Sequence, residues 1–269
     1  MDKISCISLN KTSLRFNNSS FELFANITIK EGEKILLIGP NGSGKSSLIQ
    51  LISGHITPNK GEVLLKNMHK TNKESKEISE LISYMPQSPY LPLHFDVFDF
   101  VITGRFSNNN IKTNLSENDY KLTMQILKKI NLFNKWNSKL AHLSGGEKQL
   151  ALLAHNLIQN KPIQLFDEPT SNLDPFNQSE VMNLILYSSL NKPITTIVST
   201  HDINFAWKFN RVIMIKNGVI FKDGEEKVNT TSKDSTDLPI SPHDDSDASR
   251  AYIAALQSAL NAYQEKYKM

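Results

Sequence analysis

The sequence has 269 residues, of which 39% are hydrophobic and 21% charged, the balance of an ordinary globular protein. Its 30 basic and 27 acidic residues leave a net charge of +3. This charge is too balanced to indicate nucleic-acid binding, and no nucleic-acid partner is expected. Cys6 is the only cysteine, which excludes an intrachain disulfide. No run approaches the ~20 apolar residues that cross a bilayer, and the first ten residues lack the apolar core of a signal peptide.

Two strand-like segments begin the chain, at residues 4–9 and 21–29, and the polar residues 17–20 separate them. A hairpin is the simplest arrangement of two such segments. The sequence therefore predicts an antiparallel edge before the main sheet.

A glycine-rich loop, Gly39-Pro40-Asn41-Gly42-Ser43-Gly44-Lys45-Ser46, follows the apolar run 35–38 and leads into the helical pattern 47–52. Strand, glycine loop and helix N-terminus in that order form an anion cradle, because the loop N–H groups and the helix dipole converge. Lys45 can reach the β- and γ-phosphates, and the Ser46 hydroxyl can ligate Mg²⁺. The predicted nucleotide-binding residues here are Gly39, Asn41, Gly42, Ser43, Gly44, Lys45, Ser46 and Ser47.

The middle of the chain is mainly helical. A short strand is predicted at 62–65, an exposed polar loop at 67–76 and a short helix at 78–81. Between Gln87 and Leu140 the apolar residues fall at helix spacing, and core packing explains this stripe better than a cofactor site.

Two later strands end in polar residues that are suited to chemistry. A helix is predicted at about 147–159, after Ser144-Gly145-Gly146, and a strand at 163–166 that ends in Asp167 and Glu168. A helix, a strand at 194–199 and a further helix follow, with His201 at the end of that strand. In an open α/β sheet, ligands bind along the edge where such strands end.

The last part of the chain changes composition. A hairpin at 212–215 and 219–221 would close the first domain, 1–228. Residues 229–247 are rich in Ser, Thr, Asp and Pro, as flexible linkers are. Residues 248–269 predict an amphipathic helix, which is either a docking helix or a segment foreign to the chain.

These motifs together resemble the nucleotide-binding subunit of an ATP-binding cassette (ABC) transporter over about residues 3–226. Leu143-Ser144-Gly145-Gly146-Glu147 resembles the family signature, and its pairing with a P-loop is nearly diagnostic. The resemblance implies an α/β P-loop cassette with an antiparallel β edge, a mixed or parallel core sheet and a helical subdomain at about 88–160.

The resemblance also assigns roles to single residues. Asp167 would hold Mg²⁺ at a strand end. Glu168 resembles the catalytic glutamate and His201 the switch histidine. Gln87 resembles the Q-loop glutamine, which touches both the metal and the membrane partner. Phe16 lies where the family stacks an aromatic on adenine, although a core role is the alternative.

The signature residues imply a dimer. Ser144, Gly145 and Gly146 open a helix and would hold the ATP bound to a second copy, and Asp174 ends the segment 171–174, which resembles the D-loop. The implied assembly is a homodimer around two Mg-ATP, peripheral on the cytoplasmic face of the cell membrane. Its implied partners are transmembrane permease subunits and a substrate-binding protein.

The segment 97–105 and Gln87-Ser88-Pro89 are similar to the importers of iron chelates, cobalamin and metal ions. An exporter or lipid-handling system is an alternative. A soluble ABC protein acting on ribosomes, DNA or cofactor assembly is another, although such chains carry two cassettes or a long coiled coil. A binding module without turnover would be favoured if Glu168 or Lys45 were missing.

Overall fold

The computed structural model describes residues 5–16, 20–66, 68–69, 75–108, 115–171, 173–187 and 193–225. The linker predicted at 229–247 and the helix predicted at 248–269 lie outside these residues. So do Asn172 of the D-loop segment and most of the loop predicted at 67–76.

Ten strands of the described residues belong to one sheet: β1 (Ser5–Arg15), β2 (Glu22–Lys30), β3 (Lys34–Ile38), β4 (Lys60–Leu65), β5 (Met68–His69), β6 (Ile82–Met85), β7 (Ile163–Asp167), β8 (Thr195–Thr200), β9 (Arg211–Lys216) and β10 (Val219–Glu225). Their order is β5-β4-β1-β2-β10-β9-β3-β8-β7-β6. The strands β5, β4, β1 and β2 pair antiparallel, whereas β9, β3, β8, β7 and β6 pair parallel. The predicted fold class, with an antiparallel edge on a parallel core sheet, is confirmed.

The α-helices are α1 (Lys45–Ser53), α2 (Ser75–Leu81), α3 (Val97–Thr103), α4 (Glu117–Lys129), α5 (Gly145–Leu157) and α6 (Pro175–Tyr187). Short 3-10 helices cover Gly104–Asn108, Phe133–Lys135, Leu140–His142 and Ile203–Lys208. The helix α1 ends at Gly54, whose φ of 92° is the left-handed C-cap conformation that glycine favours. At the start of α4, Ser116 and Asp119 form a capping box.

The hydrophobic core lies on both faces of the sheet, because successive side chains of β3 point to opposite faces. Ile35 and Leu37 pack with α1 and the antiparallel strands. Leu36 and Ile38 pack with α3, α5 and α6. All four side chains are at most 2% exposed, as expected for a central parallel strand. The polar ends of β3, β7 and β8 therefore meet at one edge, between two helical layers.

Two local expectations differ from the structure, and the predicted hairpin is confirmed at a place in the sheet that the sequence had not specified. The segment predicted as an exposed loop contains the two-residue strand β5, which pairs with β4. The helix expected after His201 is the 3-10 helix Ile203–Lys208. The hairpin β9–β10 forms as predicted, with positive φ at Asn217 (49°) and Gly218 (76°), but it inserts between β2 and β3. Strand order of this kind depends on contacts between distant segments.

Candidate functional site

The P-loop connects β3 to α1 along the sheet edge where the parallel strands end. Gly42 and Gly44 have φ values of 75° and 111°, which residues with a Cβ rarely adopt. Among the described residues, no side chain caps α1 at Gly44. The first N–H groups of α1 are therefore available to an anion, and they carry the positive end of the helix dipole.

The P-loop packs closely against the hairpin β9–β10. A Cβ at Gly39 would stand 2.1 Å from the carbonyl oxygen of Ile215, which leaves no room for a larger residue. In the turn of the same hairpin, the Gly218 N–H donates to the carbonyl of Ser43 at 2.9 Å. The backbone of the β9–β10 hairpin thus holds the P-loop in place.

Lys45 lies almost completely inside the loop, with 5% of its surface exposed. Its Nζ donates to the carbonyl of Gly39 at 2.8 Å and to that of Pro40 at 3.3 Å. The same Nζ lies 3.7 Å from Oε1 of Glu168. Ser43 Oγ is buried and has no hydrogen-bond partner within the described part of the chain. The loop therefore presents a buried positive charge and an unpaired hydroxyl to a ligand.

Glu168 is the point where the predicted catalytic residues meet. Its Oε2 accepts a hydrogen bond from Gln87 Nε2 at 3.1 Å and lies 3.8 Å from His201 Nδ1, while Oε1 faces Lys45. Its backbone has a φ of 51°, a strained conformation for a residue with a side chain. Strain of this kind is concentrated at functional sites, because the surrounding structure must hold it in place.

Asp167 comes directly before Glu168 and is 2% exposed. It lies opposite Ser199 in the parallel register of β7 and β8, and its Oδ1 accepts from Ser199 Oγ at 2.5 Å. The Glu168 N–H donates to the same hydroxyl at 3.0 Å. Ser199 was not among the predicted site residues, although it stands two positions before His201 on a strand that ends at the same edge.

The oxygen-bearing groups of this region suit Mg²⁺. Asp167 supplies a buried carboxylate, Ser46 a hydroxyl on the first turn of α1, and Gln87 an amide. The helix α1 packs against β7, so Ser46 and Asp167 belong to adjoining elements. Hard oxygen donors of this kind are the ligands that Mg²⁺ takes, usually with phosphate oxygens and water completing the shell.

The signature residues form a second helix N-terminus, at α5. Ser144 is its N-cap: Ser144 Oγ accepts from the Glu147 N–H at 3.3 Å, and the Ser144 N–H donates to Glu147 Oε2 at 3.0 Å. The Lys135 ammonium, 2.5 Å from Glu147, holds the pKa of that carboxyl below its usual value. Ser144 and Gly145 are exposed, and a Cβ at Gly145 would meet nothing within 4 Å. The surface in front of this helix is open.

The remaining predicted site residues are exposed or half-buried. Asp174 is exposed and caps α6, accepting from the N–H groups of Phe176 and Asn177 at 3.1 Å each. The phenyl ring of Phe16 is 40% exposed and lies 6.5 Å from the Phe21 ring, whose tip borders Gly44. Asn41 is exposed and Ser47 half-buried on α1.

Comparison with known proteins identifies the family of this chain. The ABC transporter family model matches residues 24–171. An uncharacterized ABC transporter ATP-binding protein of Methanocaldococcus jannaschii is 37% identical over 213 residues, 79% of this chain and 80% of that protein. The chain belongs to the ABC transporter family. It is an ATP-binding subunit of the ABC type and an ATPase.

Other relatives of this ABC ATPase differ in the cargo named for them. A probable siderophore transport ATP-binding protein of Bacillus subtilis is 31% identical, covering 82% of this chain and 81% of that protein. An arginine transport ATP-binding protein of the same organism is also 31% identical, covering 82% and 92%.

Two solved structures have the same cassette fold. A putative metal-chelate type ABC transporter in an inward-facing conformation superposes with a TM-score of 0.68 at 27% identity, covering 82% of this chain and 83% of that chain. A dimeric ATP-binding cassette bound to ADP and Pi after hydrolysis superposes with a TM-score of 0.71 at 26% identity, covering 81% and 98%.

One buried side chain of the ABC ATPase contacts the site although no sequence motif indicated it. Gln149, on α5, is 6% exposed, and its Nε2 donates to the carbonyl of Pro169 at 3.0 Å and lies 3.5 Å from that of Glu168.

In the part of the chain that the structure describes, no helix is both long and apolar enough to cross a membrane.

Proposed function

We propose that this ABC ATPase dimerises around two Mg-ATP and drives transport of a metal ion or metal chelate into the cell through separate permease subunits. The observation that carries the proposal is the convergence of Lys45, Gln87 and His201 on the Glu168 carboxylate. These four side chains come from four separate parts of the chain, and a purely structural cluster would not require a strained backbone at Glu168.

Each member of the cluster has a role in phosphoryl transfer to water. Glu168 orients the attacking water and accepts its proton, because it is a carboxylate at the strand end beside the phosphate cradle. Lys45 stabilises the negative charge of the β- and γ-phosphates, and His201 donates a hydrogen bond to the γ-phosphate. When bound, Mg²⁺ supplies charge neutralisation of the phosphates, and Ser46, Asp167 and Gln87 are the residues that would hold it.

A second copy of the chain would complete each site. Ser144 and Gly145 are exposed at the N-terminus of α5, where N–H groups and the helix dipole attract a phosphate. The similar cassette bound to ADP and Pi is dimeric, which supports the same arrangement here. Closure on ATP and separation after hydrolysis would then give the permease two positions.

Permease subunits are the proposed membrane partners, and a substrate-binding protein would deliver the cargo. Three large apolar side chains that follow Gln87 in the sequence are exposed: Tyr90 (92%), Leu93 (49%) and Phe106 (52%). Exposed apolar side chains of this size, aromatic ones above all, are typical of protein contact surfaces. Docking there would place the ATPase on the cytoplasmic face of the membrane.

Three observations support metal or metal-chelate import. The segment 97–105 is similar to importers of iron chelates, cobalamin and metal ions, one relative is named as a siderophore transport protein, and one similar structure is a putative metal-chelate transporter. The arginine transport relative is as similar, so cargo must be measured. We expect the ATPase, purified with its permease and placed in proteoliposomes, to drive ATP-dependent uptake of ferric siderophore or Mn²⁺. Uptake of arginine alone would contradict the metal assignment.

The catalytic assignment is tested by Glu168→Gln, which keeps the size of the side chain and removes its charge. We expect ATP hydrolysis to fall by about 10²-fold or more, because the water loses its proton acceptor, while ATP affinity stays within about twofold. Steady-state phosphate release and equilibrium binding of ATP measure the two quantities.

A matched control is Glu117→Gln on α4, where the carboxylate is 95% exposed. It should hydrolyse ATP at the wild-type rate. Near-normal turnover in Glu168→Gln would remove Glu168 from the mechanism.

A further inference from the structure

We infer that Gln149 is a positioning residue that ties the signature end of α5 to the catalytic turn at Glu168 in the same chain. Through Gln149, ATP held by Ser144–Gly146 of one subunit determines the orientation of the Glu168 side chain in that same subunit. The inference rests on the proposed function, because it requires that the signature binds ATP of the second copy.

The contact between Gln149 and the catalytic turn is buried and directed at backbone. Gln149 Nε2 donates to the carbonyl of Pro169 at 3.0 Å and lies 3.5 Å from the carbonyl of Glu168. A buried donor of this kind is costly to remove, because the carbonyls lose their partner away from water. The contact therefore holds the peptide groups on the C-terminal side of the Glu168 Cα.

The backbone of Glu168 needs such support. Its φ of 51° is unfavourable for a glutamate and persists only if the neighbours fix it. Ser199 fixes the N-terminal side, through bonds from the Glu168 N–H to the Ser199 hydroxyl at 3.0 Å and carbonyl at 3.2 Å. Gln149 fixes the other side. Because the Glu168 side chain is attached to the Cα between these two contacts, they determine the orientation of its carboxylate.

A second glutamine holds the far end of the same turn and serves as a comparison. Gln178, on α6, donates from Nε2 to the carbonyl of Leu173 at 3.0 Å and lies 3.5 Å from that of Thr170. Gln149 thus holds the carbonyls of residues 168 and 169, and Gln178 holds those of residues 170 and 173, each from a helix. Only one of the two helices, α5, begins at the signature residues.

The helix α5 provides the mechanical link. Ser144 caps it and Gln149 lies five residues further on, little more than one turn of rigid helix. A phosphate that engages Ser144 and the first N–H groups must compete with the capping contact from Glu147. Any shift of the helix start on engagement moves Gln149, and with it the Pro169 and Glu168 carbonyls. Each catalytic carboxylate therefore responds to the ATP bound at the opposite site.

The test is Gln149→Met, which keeps an unbranched side chain of similar length and removes the donor. We expect kcat for ATP to fall by about 10-fold or more, since small displacements of a catalytic group are costly, with KM within about twofold. Combined with Glu168→Gln, the substitution should lower the residual rate no further, because it acts through the glutamate. In that background, ATP-driven dimerisation should persist.

The comparison variant is Gln178→Met, which removes the equivalent donor from α6. Both substitutions should lower the melting temperature, because each leaves carbonyl groups without their partner, but Gln178→Met should leave kcat within about twofold. If Gln149→Met does not fold, Gln149→Asn replaces it, because its shorter amide cannot reach the Pro169 carbonyl.

Four outcomes separate the positioning role from the proposed function. A wild-type kcat in the Gln149 variants, or an equal fold-loss with and without the Glu168 carboxylate, overturns the positioning role. Loss of dimerisation in the double variant shows damage to the signature itself and also overturns it. Absence of ATP hydrolysis in the wild-type protein would instead contradict the proposed function.

Discussion

Two helix N-termini of this ABC ATPase are proposed phosphate sites, and they are built in different ways. At α1 the P-loop is enclosed: Lys45 is 5% exposed, Gly39 touches the backbone of Ile215, and no described side chain caps the helix. At α5 the signature is open: Ser144 and Gly145 are exposed, and the cap is made by Ser144 and Glu147.

This difference is the basis of our proposal that one end binds nucleotide within a single chain and the other does so only in a dimer. The sheet and the β9–β10 hairpin complete the P-loop, so it is a formed cradle in the monomer. The α5 end satisfies its own cap and has no wall in front of Gly145. In the proposed dimer, the second copy brings a phosphate to this end.

The largest expected effect is that of Lys45→Ala, which removes the buried charge of the enclosed site. ATP affinity and turnover should each fall by about 100-fold or more, because the ammonium proposed to bond the phosphate oxygens is lost. Equilibrium titration with ATP and steady-state hydrolysis measure this. The exposed Lys121→Ala on α4 is the control and should bind ATP normally. Unchanged affinity in Lys45→Ala would refute the P-loop assignment.

A smaller effect is expected when one methyl group is added at each helix N-terminus, and it should differ between the two. Gly39→Ala would place its Cβ 2.1 Å from the Ile215 carbonyl oxygen, so we expect the free energy of unfolding to fall by about 2 kcal/mol or more. Gly145→Ala meets nothing within 4 Å and exchanges glycine for a better helix former, so stability should be unchanged or rise by up to about 1 kcal/mol.

Urea unfolding of the two variants without nucleotide gives both free energies. Equal destabilisation would contradict the distinction between an enclosed and an open end. Gly145→Ala should nevertheless hydrolyse ATP more slowly than wild type, because its methyl group intrudes on the phosphate of the second copy.

Local sequence was sufficient for the main elements and the motif order. The strand at 35–38, the glycine loop and the helix after it follow from hydrophobic pattern and turn chemistry, and so does the Asn217-Gly218 hairpin. The insertion of that hairpin between β2 and β3 did not follow, because strand order is decided by packing between distant segments.

The same limit applies to the site. Glu168 and His201 were predicted from their places at strand ends and from the family resemblance, and their catalytic roles stay predictions. Ser199 and Gln149 were missed, because a serine in a buried strand and a glutamine in a helix have no pattern of their own. Their importance appears only when the register of β7 and β8 and the packing of α5 bring them to Glu168.

The central claim, that the open end of α5 acts on the ATP of a second copy, is tested by Gly145→Asp in the Glu168→Gln background. The carboxylate has room in the monomer and suits a helix N-terminus, so folding should be unaffected, but it would repel a phosphate. Sedimentation with Mg-ATP measures dimerisation, and equilibrium titration measures ATP binding. We predict that Glu168→Gln forms a dimer, whereas the double variant binds ATP with the same affinity and stays monomeric. Dimers of both proteins, or ATP-bound monomers of both, would contradict the claim.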